Sequence, residues 1–438
     1  MEKREKFTFI IYKYLIVGLG AAAVHGITLI LLYKYISLPL SNLIGFLTAS
    51  ITSYLGHALF TFRSSTKGKR FAKRWLAIQY IINICISLFL PLILERIISG
   101  NILRYILIFT PTLINAIIWR KAKNYSSKRN FLTKNPLFHA DDFGLTDKIS
   151  CAIVTLMNQN RLDSTSIMVN GYSVDLAIAL WEKNNKFPLG LHLCLTEGPT
   201  ISKKQDLKYI TNNKGLMNIS FVKLLLTSML PRMITYREKI KQELKSEIIA
   251  QIERFLTITK LSTISLDGHQ HVHLIPIILE IILELKDQYN IQWIRTTQEP
   301  IPSGISLTNW GNTISNGGVI KWLILQILTK IAKPKIKQAY IKTNKSFSGI
   351  LFTGRMTNKI MLSSMKEFEL LKANANESLP IVLIHPAYTH NKEEINNNLK
   401  DFKLSRGFFQ SKWRKIEFDN LRSRKLHVML NQENKCDE

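Results

Sequence analysis

Two adjacent carboxylates are the first residues of this sequence whose types and spacing could do chemistry. They are Asp141 and Asp142, within FHADDFG at residues 138–144. Neighbouring carboxylates at the end of a strand are not both stable as ions unless a cation or hydrogen-bond donors lie near them. One could bind a metal ion while the other stays free as a base. A solvated loop or a helix N-cap is the alternative, because aspartate favours both.

Histidines alternate with other residues in SLDGHQHVHLIP at residues 265–276. Three of the ten histidines of the chain fall within five residues, which packing alone does not explain. In an extended strand, every second side chain points to the same face, and neutral imidazole is a common ligand of divalent ions. Because strand spacing spreads the alternating positions over roughly 13 Å, we expect one histidine to be a metal ligand and the others to support it or face the substrate. The alternating residues are Asp267, His269, His271 and His273, with His271 and His273 the predicted substrate contacts.

Two further histidines lie in apolar runs. His192 is within LGLHLCLTEG at residues 189–198, where it could be a hydrogen-bonded core residue or a ligand. His385, in LIHPAY, follows an apolar run and precedes a proline, which is a suitable place for a catalytic acid.

The elements that must position these residues alternate between short apolar runs and amphipathic stretches. Residues 239–255 (KIKQELKSEIIAQIERF) repeat apolar residues at helical spacing, whereas LSTISLDGHQHVHL and LPIVLIHPAY are each typical of a strand running into a loop. Strand–helix alternation predicts parallel strands in an α/β barrel or a layered sheet. Since catalytic residues of such folds gather at the carboxyl ends of the strands, we expect these segments to converge.

In this order, the four segments resemble the YdjC-like (ChbG/HpnK) carbohydrate deacetylases. STSIMVNG at 164–171, AQIERF at 250–255 and FSGI at 347–350 also match, and the resemblance covers residues 137–390. It implies a (β/α) barrel-like deacetylase domain over residues 137–395, followed by a tail at 396–438 without an assigned role. Cys194 and Ala387 are small departures from the family pattern.

The same resemblance implies a role for each matching residue. The implied metal ligands are Asp142, His192 and His269, and the implied catalytic residues are Asp141 as general base, His385 as general acid and Arg295 as a charged residue near the base. The family implies Mg²⁺, whereas a ligand set of one oxygen and two nitrogens also suits Zn²⁺. The predicted reaction is hydrolysis of the amide of an N-acetylated sugar.

The first third of the chain is apolar in long runs. About 20 apolar residues match a hydrocarbon layer of roughly 30 Å, so four such runs predict an all-α transmembrane bundle. Ala21–Ala23 could imitate a signal-peptide cleavage site, but the apolar run continues for ten residues past it, so we do not expect cleavage. The predicted spans are residues 14–33, 43–62, 75–94 and 102–119.

Charge gives this bundle an orientation. The chain has a net charge of +28, of which +15 falls in residues 1–130. Fifteen Lys and Arg residues lie before span one, between spans two and three, and after span four, against three in the other two loops. By the positive-inside rule, both ends of the bundle and everything after it are cytoplasmic. Because the basic residues lie at membrane edges, a nucleic-acid partner is not expected. Four scattered cysteines without a CxxC pair exclude a disulfide scaffold and a cysteine-type zinc module.

The bundle resembles the GtrA-like family, which is associated with moving polyprenyl-phosphate-linked sugars across membranes. The best match is NLIGFLTASITSYLGHALFTFR at residues 42–63. We therefore expect a multi-pass protein of the bacterial inner membrane. A GtrA-like domain at 1–125 and a basic linker at 126–136 precede a cytoplasmic deacetylase that acts on an N-acetylated carbohydrate or a lipid-linked sugar. Membrane lipids are expected partners, and homo-oligomerisation is left open. The alternative is a lipid-linked sugar translocation protein whose soluble part is a sugar-binding module or another hydrolase.

Overall fold

The chain forms two compact units in the computed structural model, Met1–Phe131 and Leu132–Glu438. Each unit is described by itself below. The structure describes residues 2–36, 38–63, 75–82, 84, 115, 117–122, 136–203, 207–368, 377–388, 399–403, 406–409 and 411–423.

Helices make up the described part of the N-terminal unit. The first runs over Glu2–Tyr33 and the second over Leu38–Gly56, where a π-helical turn, His57–Thr61, extends it. Both coincide with predicted spans. Among the described residues, Tyr12–Leu32 is the one helical stretch long and apolar enough to cross a membrane. The predicted spans 75–94 and 102–119 lie largely outside the described residues, which are helical at 75–82, 84, 115 and 117–122.

Small residues let the first two helices approach closely. A Cβ atom at Gly45 would lie 2.6 Å from the His25 ring, and one at Gly56 would lie 2.7 Å from a Val17 methyl group. Such contacts are typical of helix packing in membranes, where small residues allow backbones to come together.

The strands described in the C-terminal unit are Leu137–Phe143 (β1), Ser164–Ile167 (β2), Leu189–Leu193 (β3), Ile264–Gly268 (β4), Ile291–Ile294 (β5), Thr343–Asn344 (β6), Phe347–Ser348 (β7), Glu377–Ser378 (β8) and Ile381–Ile384 (β9). Seven of them pair in parallel to form the central sheet, in the order β5-β4-β3-β2-β1-β9-β7. The α/β prediction is confirmed, and the barrel-like prediction is confirmed in part. In the described part of the chain the sheet starts at β5 and ends at β7 without closing on itself, which gives an open half-barrel. A two-stranded sheet joins β6 to β8.

Helices connect the strands, as parallel pairing requires. The apolar strand residues, such as Leu191, Leu266 and Val382, are buried in one continuous core. The carboxyl ends of the strands therefore lie along one edge of the sheet. The helices of this unit are Asp147–Asn158, Val174–Lys183, Phe221–Met229, Thr235–Thr259, Pro276–Leu285, Leu307–Ser315, Gly318–Gln338, Asn358–Phe368, Arg406–Phe409 and Trp413–Arg422, with a 3-10 helix at His269–Leu274.

Candidate functional site

The candidate site lies at the carboxyl ends of five strands. Asp141 and Asp142 are near the end of β1, His192 is in β3, and Arg295 and His385 directly follow β5 and β9. His269 directly follows β4. The topology thus gathers residues from positions 141 to 385 at one edge, which is the position where open parallel sheets bind their ligands.

An irregularity in β1 sets the direction of the two carboxylates. Strand β1 pairs with β2 at Ala140 and again at Phe143, and the register shifts between these positions. Asp142 lies within the shift with φ of 68°, a left-handed conformation that is uncommon for a residue other than glycine. Bulges and strained backbone of this kind re-aim side chains at functional sites.

Asp142, His192 and His269 converge on a common centre. Asp142 Oδ1 lies 3.7 Å from His192 Nε2 and 3.6 Å from His269 Nδ1. One ligand atom from each of the three lies within 4.8 Å of the other two, and all three residues are buried. Asp142 Oδ1 and His192 Nε2 have no hydrogen-bond partner among the described residues. Buried polar atoms without partners are costly, so a carboxylate oxygen and imidazole nitrogens aimed at one point fit a divalent cation.

The far nitrogens of both histidines contact carboxylates. His192 Nδ1 lies 2.6 Å from Asp267 Oδ1, and His269 Nε2 lies 2.9 Å from Glu197 Oε1. Because an ionised carboxylate can only accept, we place a proton on each of these nitrogens, which turns the other nitrogen's lone pair toward Asp142. This carboxylate–histidine support is the usual arrangement behind metal-binding imidazoles.

The charges around His269 favour a cation at the same centre. Burial by itself lowers the pKa of His269, but the neighbouring carboxylates of Asp142 and Glu197 raise it to about 9. A proton on Nδ1 and a metal ion would compete for one position, since both are positive charges held by the same lone pair.

Asp141 is held by a buried arginine rather than by the convergent centre. Arg295 Nη1 donates to Asp141 Oδ1 at 2.6 Å, and Nη2 donates to Oδ2 at 2.9 Å. Burial alone would raise the pKa of Asp141, but the guanidinium keeps it well below its usual value. Asp141 is therefore an oriented, ionised carboxylate beside the convergent centre.

A second acidic cluster is already neutralised by the same arginine. His139 Nε2 lies 3.3 Å from Asp141 Oδ1 and 3.2 Å from Asp267 Oδ2. Arg295 Nη1 reaches both of these carboxylates, at 2.6 and 3.1 Å. Its guanidinium already brings positive charge to both carboxylates, so the other cluster is the better candidate for a metal ion.

His385 is neutral in this environment. Its Nε2 lies 4.0 Å from Asp141 Oδ2, and the edge of the Phe408 ring packs against it, with ring centres 4.9 Å apart. Burial lowers the pKa of His385 to about 3, although Asp142 and Asp141 oppose the shift. To act as a general acid, this imidazole would first have to accept a proton and become imidazolium.

Two known protein families match consecutive parts of the chain. The YdjC-like protein family matches residues 137–432, which is more than half of the chain. This chain belongs to the YdjC-like family. Residues 13–131 match the GtrA/DPMS transmembrane domain. The GtrA/DPMS match and the apolar helix Tyr12–Leu32 together indicate membrane association.

Curated relatives of the YdjC-like unit are named carbohydrate deacetylases. One from Brevibacillus brevis is 29% identical over 167 residues, covering 37% of this chain and 61% of the relative. Another from Clostridium beijerinckii is 28% identical over 155 residues, covering 35% and 57%. The chain thus spans about 60% of the length of these relatives. A solved structure of a protein assigned to cellobiose-phosphate cleavage in Enterococcus faecalis V583 aligns with 68% of this chain and 93% of its own, with a TM-score of 0.45 and 16% identity.

The histidine segment of the YdjC-like unit differs from its predicted form. We expected Asp267, His269, His271 and His273 to share one face of an extended strand, and this was wrong. Strand β4 ends at Gly268, and His269–Leu274 forms a 3-10 helix in which Gln270 and His271 are left-handed, with φ of 54° and 61°. Only His269 of the three histidines lies at the convergent centre.

The other two histidines lie beside this centre. His273 is fully buried, and its Nε2 is 2.9 Å from the Arg295 carbonyl oxygen. His271 is buried against the edge of Phe347, with ring centres 5.6 Å apart. Burial lowers the pKa of both histidines, that of His273 to about 4, so both are neutral. Their predicted contact with the substrate stays a prediction.

The C-terminal helix, Trp413–Arg422, supplies two site residues for which the sequence offered no motif. Arg414 Nη1 donates to Asp142 Oδ2 at 2.9 Å, and this arginine is fully buried against the rings of Phe408 and Phe409. Glu417 Oε2 accepts a 2.7 Å hydrogen bond from the backbone N–H of His385. The match of the YdjC-like family extends through this helix, which holds one oxygen of Asp142 and the backbone of His385.

Arg414→Met should therefore destabilise the metal-free protein more than the metal-loaded one. Removing one partner of a buried ion pair costs about 3–5 kcal/mol, because the other charge stays buried and uncompensated. A bound cation would compensate Asp142 in place of the arginine, so added divalent metal should restore much of the loss. Thermal unfolding of the C-terminal unit within the full chain, with and without metal, measures both effects.

Lys415→Met is the matched control for this variant. Lys415 is the next residue of the helix and makes an exposed pair with Asp419 at 2.8 Å, which is worth about 0–1 kcal/mol. An equal loss of stability for Arg414→Met with and without metal would instead assign Arg414 to packing against Phe408 and Phe409.

Proposed function

We propose that the YdjC-like unit is a metal-dependent carbohydrate N-deacetylase that hydrolyses the acetamido group of an N-acetylated sugar to acetate and a free amine. The observation that carries this proposal is the convergence of Asp142 Oδ1, His192 Nε2 and His269 Nδ1 within 4.8 Å, with two of these atoms unpartnered among the described residues. The names of the relatives support the substrate class.

The three convergent residues would hold one divalent cation, Mg²⁺ by family resemblance or Zn²⁺ by ligand type. When bound, such an ion polarises the amide carbonyl, stabilises the developing oxyanion and lowers the pKa of water. Asp267 and Glu197 would keep the two imidazoles in the required tautomer. Arg414 would hold the remaining oxygen of Asp142, so that Oδ1 faces the cation.

Asp141 would act as the general base. Arg295 holds both of its oxygens, and Oδ2 lies 3.9 Å from His192 Nε2, so this carboxylate borders the centre without entering it. In this position it can accept a proton from the attacking water.

His385 would carry a proton to the leaving nitrogen. Because it is neutral at rest, it must first be protonated, and Asp141 Oδ2 lies 4.0 Å away. We propose that the proton taken from water by Asp141 passes to His385 and then to the departing amine. The reaction then balances. The C–N bond breaks as water adds its oxygen to the acetyl carbon, one water proton reaches the amine nitrogen through Asp141 and His385, and the other is lost from the acid product to leave acetate. His271 and His273 stay candidate substrate contacts.

The membrane unit suggests where this chemistry takes place. We propose that residues 1–125 cross the inner membrane four times, that 126–136 form a linker, and that the deacetylase domain faces the cytoplasm. A catalytic unit joined by a short linker to a GtrA/DPMS domain would meet a membrane-held substrate at high effective concentration. The proposed substrate is therefore an N-acetylated sugar on a polyprenyl phosphate.

Acetate release by the full-length protein tests the proposal. We expect release from a polyprenyl-phosphate N-acetylhexosamine, loss of release with a chelator, and recovery when Mg²⁺ or Zn²⁺ is added back. The cation that restores activity identifies the metal. Release from free chitooligosaccharide but not from the lipid-linked sugar would contradict the lipid-linked substrate, and release that survives chelation would contradict the metal site.

A further inference from the structure

The helix Gly318–Gln338, here called the outer helix, has an apolar face that the core does not use. Its core side is formed by Leu325, Leu328 and Ala332, which are buried. Ile320, Leu323, Ile327 and Ile331 repeat at intervals of three and four residues and are 66%, 53%, 53% and 45% exposed. At helical spacing these four form one stripe, opposite the core side.

The preceding helix, Leu307–Ser315, contacts the outer helix and carries two more exposed apolar residues. Its Leu307 is 88% exposed and its Ile314 is 64% exposed. Isolated apolar residues on a surface are ordinary, but contiguous ones mark an interaction site. We call Leu307, Ile314 and the stripe of the outer helix the apolar face.

The segment that carries the apolar face contains almost all the excess positive charge of the C-terminal unit. Residues 300–366 hold ten Lys and Arg residues and no Asp or Glu. Residues 131–438 have a net charge of +13. The parts of this range before residue 300 and after residue 366 therefore contribute only +3. Exposed lysines lie within or beside the stripe at Lys330, Lys335 and Lys337.

We infer that the apolar face docks on an anionic lipid surface. Helices that lie in a membrane interface combine an apolar face with flanking lysines, which anionic headgroups attract. The GtrA/DPMS match already associates this chain with a membrane. A second copy of the chain fits less well, because two segments of charge +10 would meet face to face.

Docking in this way would hold the candidate site near the lipid. The core side of the outer helix is tied to the chain that follows Arg295. Trp322 Nε1 donates to the Glu299 carbonyl oxygen at 3.0 Å, and Gln326 Nε2 donates to the Thr297 carbonyl oxygen at 2.7 Å. The outer helix thus joins the apolar face to the segment that positions Arg295. The inference goes beyond the proposed reaction and does not depend on it.

Fluorescent labelling of the full chain in vesicles tests the docking. Cys85, Cys151 and Cys436 are replaced by serine, whereas Cys194 stays, because burial raises the pKa of its thiol to about 12 and keeps it unreactive. An environment-sensitive NBD label is placed on Leu307→Cys or Leu323→Cys, with Glu182→Cys as the exposed control. The vesicles contain phosphatidylcholine and phosphatidylglycerol, with lipids that carry a spin label on the acyl chain.

We expect the spin-labelled lipid to lower the fluorescence of both face labels roughly twofold or more and to leave the control almost unchanged. Vesicles without phosphatidylglycerol should weaken the effect, because lysines near the surface contribute attraction to anionic lipid. Equal quenching at Glu182→Cys, or none at either face label, would overturn the inference. If the face labels are protected from quenching, and this protection grows with the protein-to-lipid ratio, a second copy of the chain covers the apolar face and the inference is overturned. Since no substrate is present, failure here is distinct from failure of the deacetylase proposal.

Discussion

Asp142→Asn is expected to abolish divalent-cation binding and acetate release together. Asparagine keeps the shape of the side chain but removes the negative charge at the convergent centre. Loss of a residue that only supports a ligand costs 10–100-fold in metal affinity, so loss of the ligand itself should cost at least about 100-fold. Since Lewis-acid stabilisation is worth several kcal/mol and about 1.4 kcal/mol is tenfold, activity should fall on the order of 10³-fold. Calorimetric metal titration and acetate release measure the two effects.

Asp163→Asn is the matched control for this variant. Asp163 is exposed and lies just before β2. Its carboxylate accepts a 2.6 Å hydrogen bond from the Phe138 N–H, near the start of β1 and away from the site. The control should bind metal and release acetate like the unmodified protein. Unchanged metal affinity in Asp142→Asn would contradict the proposed centre, because Asp142 Oδ1 lies 3.7 Å from His192 Nε2 and 3.6 Å from His269 Nδ1.

The convergence of the site residues could be predicted from the sequence, because it follows from the order of the parallel strands. Parallel strands present their carboxyl ends at one edge, and residues 141, 192, 269, 295 and 385 each lie near the end of an apolar run. A correct strand–helix alternation therefore brings them together without knowledge of any distance. Which oxygen of Asp142 faces the histidines depends on the irregularity in β1, which no pattern in the sequence indicates.

The histidine segment shows where local pattern reasoning fails. Alternation of polar and apolar residues predicts an extended strand, but this strand stops at Gly268, where the chain turns into the 3-10 helix. The glycine has little room for a side chain, because a Cβ atom there would lie 3.0 Å from His273 Nδ1 and 3.1 Å from the Leu193 carbonyl oxygen. The turn directs His269 to Asp142 and carries His273 to Arg295. Tertiary packing at a single glycine thus overrides the period of the sequence.

Partner residues were the least predictable part of the site. Arg414 lies 272 positions after Asp142 in a tail without a recognisable motif, and only the fold brings the two together. Glu197 follows the LGLHL strand in a loop where a carboxylate is usually solvated, yet it is buried beside His269. A net charge concentrated in residues 300–366 was visible in the sequence, but its coincidence with an exposed apolar stripe was visible only in the structure.

Asp141→Asn should separate catalysis from metal binding. If Asp141 is the general base, its loss should lower acetate release by about 10²–10⁴-fold, because a neutral amide cannot accept the proton from water. Metal affinity should change little, since Asp141 borders the centre and its two oxygens are held by Arg295. Single-turnover acetate release at saturating metal, together with metal titration, measures both quantities.

The contrast between Asp141→Asn and Asp142→Asn makes the test specific. The two neighbouring carboxylates should give different results. Asp141→Asn should lose catalysis but still bind metal, whereas Asp142→Asn should lose both. Arg295 complicates the first variant, because removing its partner leaves a buried guanidinium whose remaining carboxylate among the described residues is Asp267, at 3.1 Å. Arg295→Met alone and combined with Asp141→Asn resolves this. If Asp141 acts as the base, the double variant regains stability without regaining activity, whereas recovery of acetate release in the double variant would show that Asp141 serves only to neutralise Arg295.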